Sequence, residues 1–220
     1  MGQIDSLALF PLADVVLLPE VSVPLYIFEP RYRQMTRDAL DGSRQIGMVT
    51  VRPDAVAGMA GDPQVFDIGC VGQIAHAQER PDGTFQILLE GVQRFRILEE
   101  PPREDSQLYR SARVALLEDL EPTTEQEREH MVRARGELMV LLEELIRRIG
   151  SSEDPDRAVE TFAQLEPARL VNALTQSIAF SPIEKQQLLE ADSLTRRCET
   201  LSELLRFRLA DTGMGGSLPN

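Results

Sequence analysis

Of the 23 basic residues in this 220-residue chain, one is a lysine. A phosphate-cradling G-x-x-x-x-G-K-[ST] loop needs a lysine next to glycine, and Lys185 stands in Ser-Pro-Ile-Glu-Lys-Gln-Gln with no glycine near it. Cysteine is almost as scarce. Cys70 and Cys198 lie far apart without a C-x-x-C spacing, so two buried thiols are expected rather than a disulfide or a metal pair. His76 and His130 have no second histidine or cysteine at ligand spacing, so no metal and no cofactor is expected. No apolar run reaches the ~20 residues needed to cross a bilayer. The apolar stretch 7–18 follows Asp5, is interrupted by Pro11 and Asp14 and has no basic segment before it, unlike a secretion signal. The expected location is the cytoplasm. Positive charge is also lacking: the net charge is −13. Nucleic-acid binding draws on counterion release by basic groups, and anionic membranes attract basic segments, so neither partner is expected.

What the chain does contain is patterned. Residues 66–97 read as two strands joined by Pro81-Asp82-Gly83-Thr84, with proline presetting φ and glycine accepting a positive one. Phe85, Ile87 and Leu89 alternate with Gln86, Leu88 and Glu90, the period of a pleated strand. Gly91 interrupts that alternation, as a bulge or a close backbone approach would. Further strands are expected at 6–12, 15–18, 21–28, 45–51 and 109–117, the first two separated by Pro11 and Asp14. Pro24 marks an edge or bend. Pro30 opens a single helix that ends near Asp41-Gly42. About seven strands around one helix make a small closed or half-closed barrel. Residues 52–63, rich in proline, glycine, alanine and aspartate, read as a mobile surface loop.

Beyond residue 120 the period changes. Thr124-Glu125-Gln126-Glu127 fits a capping box. From Met131, residues Ala134, Leu138, Leu141, Leu142, Leu145, Ile146 and Ile149 form one apolar stripe. Shorter helices follow, one starting at a second capping box, Ser181-Pro182-Ile183-Glu184, and the last carrying Leu194, Cys198, Leu201 and Leu205. The expected division is a β unit at 1–120, a helical unit at 121–210 and a disordered tail at 211–220.

In order along the chain, FPLADVVLLPEVSVPLYIFEPRY, FDIGCVGQI, PDGTFQILLEGVQRFRI, EPARLVNAL and KQQLLEADSLTRRCETL resemble the N-terminal domain of the Lon ATP-dependent protease over about residues 6–208. No single segment is diagnostic; five in order are. The resemblance implies an α+β fold, a PUA-like β pseudobarrel with one inserted helix followed by an α-helical bundle. It also implies a non-enzymatic module that binds protein or unfolded polypeptide. The ATPase and Ser-Lys protease motifs are not in this sequence, which is similar in that respect to standalone bacterial Lon-domain proteins. In the family, a Pro-Leu-Phe surface segment is linked with gripping hydrophobic sequence; Pro24, Leu25 and Tyr26 match it. Homo-oligomer formation stays open.

Arg31 or Arg33 could hold a ligand carboxylate or merely solvate the helix start; Arg31 joins Pro24, Leu25 and Tyr26 as a candidate binding residue. Glu90, Arg94 and Arg96 are read as cross-strand ion pairs. Cys70 and His76 lie about 20 Å apart along one strand, too far to share a proton. The alternative function is a small-ligand or cryptic enzymatic site in the crevice between barrel and bundle.

Overall fold

The computed structural model describes residues 2–149 and 154–214. It is a mixed α+β structure in two compact units, one of Met1–Glu118 with Phe180–Leu189, the other of Asp119–Ala179 with Glu190–Asn220. The first unit contains β1 (Gln3–Leu12), β2 (Ser22–Ile27), α1 (Pro30–Asp41), β3 (Gln45–Thr50), a 3-10 helix (Pro53–Gly58), β4 (Ile68–Glu79), β5 (Phe85–Glu99) and β6 (Ser111–Leu116). The helices beyond are α2 (Glu125–Ile149), α3 (Pro155–Ala163), α4 (Pro167–Ser177), α5 (Pro182–Glu190) and α6 (Leu194–Met214).

The six strands form one sheet in the order β2-β5-β4-β3-β1-β6, and β6 also pairs with β5. Five strands therefore close a circuit, and β2 lies outside it, paired through β5 alone. Only β1 and β3 run parallel; the other pairs are antiparallel. The long hairpin of β4 and β5 is the spine, as the alternation indicates. Its ladder slips between Val71 and Gly72, opposite Gly91 and Gln93. A Cβ on Gly91 would stand 2.0 Å from the Leu18 carbonyl oxygen, so the backbones approach where only glycine fits.

Among the described residues six strands form where about seven were expected. Residues 15–18 are not a strand, although Val16, Leu17 and Leu18 are almost wholly buried. The chain turns there: Val21 N–H donates to the Leu18 carbonyl and Glu20 takes a φ of 61°. Nor does Pro11 end the first strand. The β6 ladder on that side stops at Ala8↔Ser111, with Leu9 N–H donating to the Arg110 carbonyl, so proline's missing N–H falls beyond it.

Apolar packing fills both sides of the closed sheet. Leu17, Leu18, Ile27, Met35, Ile74, Phe85 and Leu89 belong to one cluster, and Leu9, Val71, Phe95 and Val114 to a second. Helix α5 packs with this unit, not with the helical unit to which the sequence pattern assigned residues 180–189. Its Leu189 joins the first cluster. Gln186, 1% exposed, accepts from Thr50 Oγ1 at 2.7 Å and donates to the Ile68 carbonyl at 2.9 Å. Arg94, one of the residues expected in cross-strand ion pairs, is buried and donates to the Leu189 carbonyl at 3.0 Å.

In the second unit α2 packs on α6 and α3. Ala134, Leu138, Leu142 and Leu145 of α2 and Cys198, Leu201, Leu205 and Leu209 of α6 are all buried. The buried Arg197 forms an ion pair with Asp119. Both capping boxes are formed: Glu127 N–H donates to Thr124 Oγ1 at 3.2 Å, and Ser181 N–H to Glu184 Oε2 at 2.6 Å. Residues 211–214, expected within a disordered tail, continue α6; the rest of that tail, 215–220, lies outside the described residues. Among the described residues no helix is long and apolar enough to cross a membrane.

Candidate functional site

The outermost strand carries the most exposed aromatic surface of the first unit. Gly91 N–H donates to the Val21 carbonyl. Stepping by two residues from that bond makes Val23, Leu25 and Ile27 the hydrogen-bonded positions facing β5. Pro24 then turns its nitrogen to the open edge, where it forfeits no ladder bond and offers no donor to an added strand. Side chains alternate accordingly. Val23 and Ile27 are buried and Leu25 is half-buried against the core. Pro24, Tyr26 and Phe28 face solvent, with Tyr26 49% and Phe28 60% exposed.

Two aromatic rings so exposed are held in a defined arrangement. Their centroids are 6.0 Å apart at an interplanar angle of 30°, and the Arg80 guanidinium lies 5.5 Å from the Tyr26 centroid. The Tyr26 hydroxyl donates to Thr84 Oγ1 at 3.3 Å, and Thr84 Oγ1 donates to Asp82 Oδ1 at 2.7 Å. Thr84 N–H also donates to that carboxylate at 3.0 Å. These two bonds, the hydroxyl's first, hold the Asp82 carboxyl below its usual range. The turn beneath requires Gly83, whose φ is 76° and whose Cβ would meet Arg33 Nη2 at 2.1 Å. Across the sheet Pro24 stands opposite Leu88 and Leu88 opposite His76; Tyr26 stands opposite Gln86 and Gln86 opposite Gln78. The outcome is a half-wet apolar strip, Pro24, Tyr26, Phe28 and Leu88, bordered by polar side chains.

Arg31 is placed differently. Its Nε donates to Glu29 at 3.0 Å, Nη1 to the Gly61 carbonyl at 2.8 Å and Nη2 to the Met59 carbonyl at 2.6 Å, and the guanidinium lies 4.5 Å from the Tyr32 centroid. Arg110 Nη1 donates to the Pro63 carbonyl at 2.7 Å, Arg52 Nε to the Val65 carbonyl at 3.1 Å, and Arg103 pairs with Asp62. The loop expected to be mobile is thus fastened by three arginines, Arg31, Arg103 and Arg110, and Arg52 closes its base.

Of the expected binding residues the structure brings Pro24 and Tyr26 onto one surface and turns Leu25 inward beneath them. Phe28 is the residue the sequence pattern did not single out. Strict alternation from Ser22 would have put it outside with Tyr26, but its place just beyond the strand end hid that parity. Leu88 was visible as the apolar member of the polar set Gln86, Leu88 and Glu90.

Catalytic chemistry has little material in the groups weighed for it. Burial pushes the Cys70 thiol up to about 12 and the Cys198 thiol to about 11. Among the described residues no group of three or more His, Cys, Asp or Glu could hold a metal ion. A cleft of about 340 Å³ in the first unit is lined by Arg52, Gln64, Asp67, Glu100 and Arg110 among others. Its strongest charges satisfy each other, Arg110 gripping Glu100 through two bonds of 2.7 and 2.8 Å.

Comparison with known proteins gives a consistent result. The family profile described as the ATP-dependent protease La (LON) substrate-binding domain matches residues 6–206. Lon protease of Heliobacterium modesticaldum is 27% identical over 202 residues, 92% of this chain and 24% of that protein. Lon protease of Escherichia coli K12 is 28% identical over 213 residues, 93% and 25%. The chain therefore spans about a quarter of the length of these relatives. Among solved structures, a Lon N-terminal domain protein from Xanthomonas campestris superposes with a TM-score of 0.61 at 26% identity, covering 93% of this chain and 99% of that one. The N-terminal domain of Mycobacterium avium complex Lon protease gives 0.71 at 17% identity, with 92% and 98% covered, a likeness of fold.

Proposed function

Because the chain belongs to the family of ATP-dependent protease La (LON) substrate-binding domains, we propose that it recognises polypeptide rather than transforming a small molecule. The surface formed by Pro24, Tyr26, Phe28 and Leu88 receives apolar segments of unfolded chains. The observation that carries this reading is the exposed, stacked Tyr26–Phe28 pair at the end of the sheet's outermost strand. Rigid aromatic rings give large contact area at small entropic loss, and the Tyr26 hydroxyl suits a surface wet on one side. Pro24 denies an incoming segment one backbone N–H donor, so side-chain contact dominates over strand addition.

Leu25 serves by anchoring β2 in the core. Arg31 serves by holding the carbonyls of Met59 and Gly61, and so the loop beside α1, rather than by gripping a ligand carboxylate. On the same reading the closed strand circuit with α1 is a PUA-like pseudobarrel and the helices form the accompanying bundle. The module works in the cytoplasm as a recognition element, with any cleavage carried out by a separate catalytic module.

The test is titration of the purified chain into a dye-labelled, permanently unfolded polypeptide, followed by anisotropy. The variant Tyr26→Ser/Phe28→Ser should weaken binding about tenfold or more, the loss expected for truncating two anchoring aromatics, with unchanged circular dichroism. Equal affinity of both proteins would remove recognition from this face.

A further inference from the structure

Helix α2 has a solvent face that its own unit leaves uncovered. Val132 and Val140 are each 65% exposed, one helical turn on either side of Gly136. Glycine weakens a helix interior relative to alanine, so a mid-helix glycine calls for a reason. Nothing lies within 4 Å of where a Gly136 Cβ would be; no neighbour in the chain excludes a side chain there. An apolar cleft of about 340 Å³, lined by Met131, Met139, Ala163 and Pro167, runs alongside.

The charges on this face identify the occupant. Glu129, Arg133, Glu143 and Arg147 flank the valines at helical spacing. In a parallel, in-register pair of such helices each charge would meet its like. Turned antiparallel with Val140 of one copy against Gly136 of the other, Glu129 falls opposite Arg147 and Arg133 opposite Glu143, each twice by symmetry. The same register packs Val140 into the space the glycine leaves open. Glu129 and Arg133 have no side-chain ion pair among the described residues, and Arg147, 54% exposed, lies 2.9 Å from both Glu143 and Asp156 of its own chain, a set to which the antiparallel partner adds Glu129.

We propose that two copies of this chain associate through α2, antiparallel, with Gly136 and Val140 at the centre and the four charged positions setting the register over about 27 Å of helix. This interface lies wholly in the helical unit and stands independently of the strand-edge reading.

The experiment is sedimentation equilibrium of the full chain from about 1 to 300 µM, together with two charge-reversed variants. One is Glu129→Arg/Arg133→Glu, the other Glu143→Arg/Arg147→Glu. Wild type should approach twice the 24.6 kDa of the chain, and Val140→Glu should weaken association at least tenfold. Each charge-reversed variant alone should also weaken at least tenfold, while their equimolar mixture, in which every pair is again opposite, should recover the dimer. Circular dichroism identifies any variant that fails to fold, and the mixture carries the test if Val140→Glu is one. A wild-type monomer throughout, a dimer unaffected by the reversals, or folded variants that do not recover on mixing would overturn the proposal.

Discussion

Gly91 and Gly136 look alike in the sequence and are opposite in the structure. A Cβ on Gly91 collides with backbone, 2.0 Å from the Leu18 oxygen, and backbone cannot swing aside. Gly91→Ala should destabilise the chain by about 3 kcal/mol. Gly136→Ala meets nothing and should stabilise the dilute chain by up to about 1 kcal/mol through helix propensity. Denaturant unfolding at low micromolar concentration reads both, and equal effects would contradict this account of the two glycines. The cysteines make a second prediction at this scale. Burial pushes both thiols up, to about 12 and about 11, so neither offers a thiolate near neutrality. A thiol reagent at pH 8 should titrate none in the folded chain and both in denaturant; fast reaction of Cys70 when folded would contradict the core assignment. For Tyr26, sequence supplied the exposed ring but not its bond to Thr84, 58 positions away, or the further link to Asp82.

At the scale of elements, the strand spine and the helix starts were legible because each is encoded locally. Alternation marks β5, and Thr124 with Glu127 marks the start of α2. The capping carboxylate leads to a pH prediction. Backbone N–H donors of Thr124 and Thr123 hold the Glu127 carboxyl at about 2, below its ordinary 4.5. A carboxyl lowered on folding stabilises fully above its ordinary pKa and loses that contribution as pH falls through the folded value. Amide protection at residues 123 and 124 should therefore fall as pH drops from 4.5 toward 2 in the wild type and stay flat in Glu127→Gln. Unchanged wild-type protection across that window would contradict the box. The placement of α5 was not legible. Its capping box marks where it starts but not which unit it joins, and what assigns it to the strand unit is Gln186, a polar residue bonded to Thr50 and Ile68 more than a hundred positions away. Gln186→Ala leaves a buried hydroxyl and a carbonyl without that partner and should cost about 2–4 kcal/mol by denaturant unfolding. A loss under about 0.5 kcal/mol would show that apolar contacts alone seat the helix. Residues 15–18 failed as a strand for a related reason: burial and apolar content do not specify extended pairing when the chain must turn at Glu20.

For the whole molecule, the change from period two to period three-and-a-half falls where strands give way to helices, while the return of 180–189 to the first unit is a long-range fact with no local signature. The proposed recognition surface is likewise assembled from distant segments. Pro24 and Tyr26 come from β2, Leu88 from β5, and the turn at Asp82 sets the ring; no short segment holds them all. The central claim is that unfolded polypeptide docks on this strip. The most direct measurement is amide and methyl chemical-shift mapping of the isotope-labelled chain while an unlabelled unfolded polypeptide is added. The account predicts saturable shifts concentrated at residues 24–28 and 84–88, absent in Tyr26→Ser/Phe28→Ser. Saturable shifts confined to other surfaces, with residues 24–28 unmoved, would contradict it.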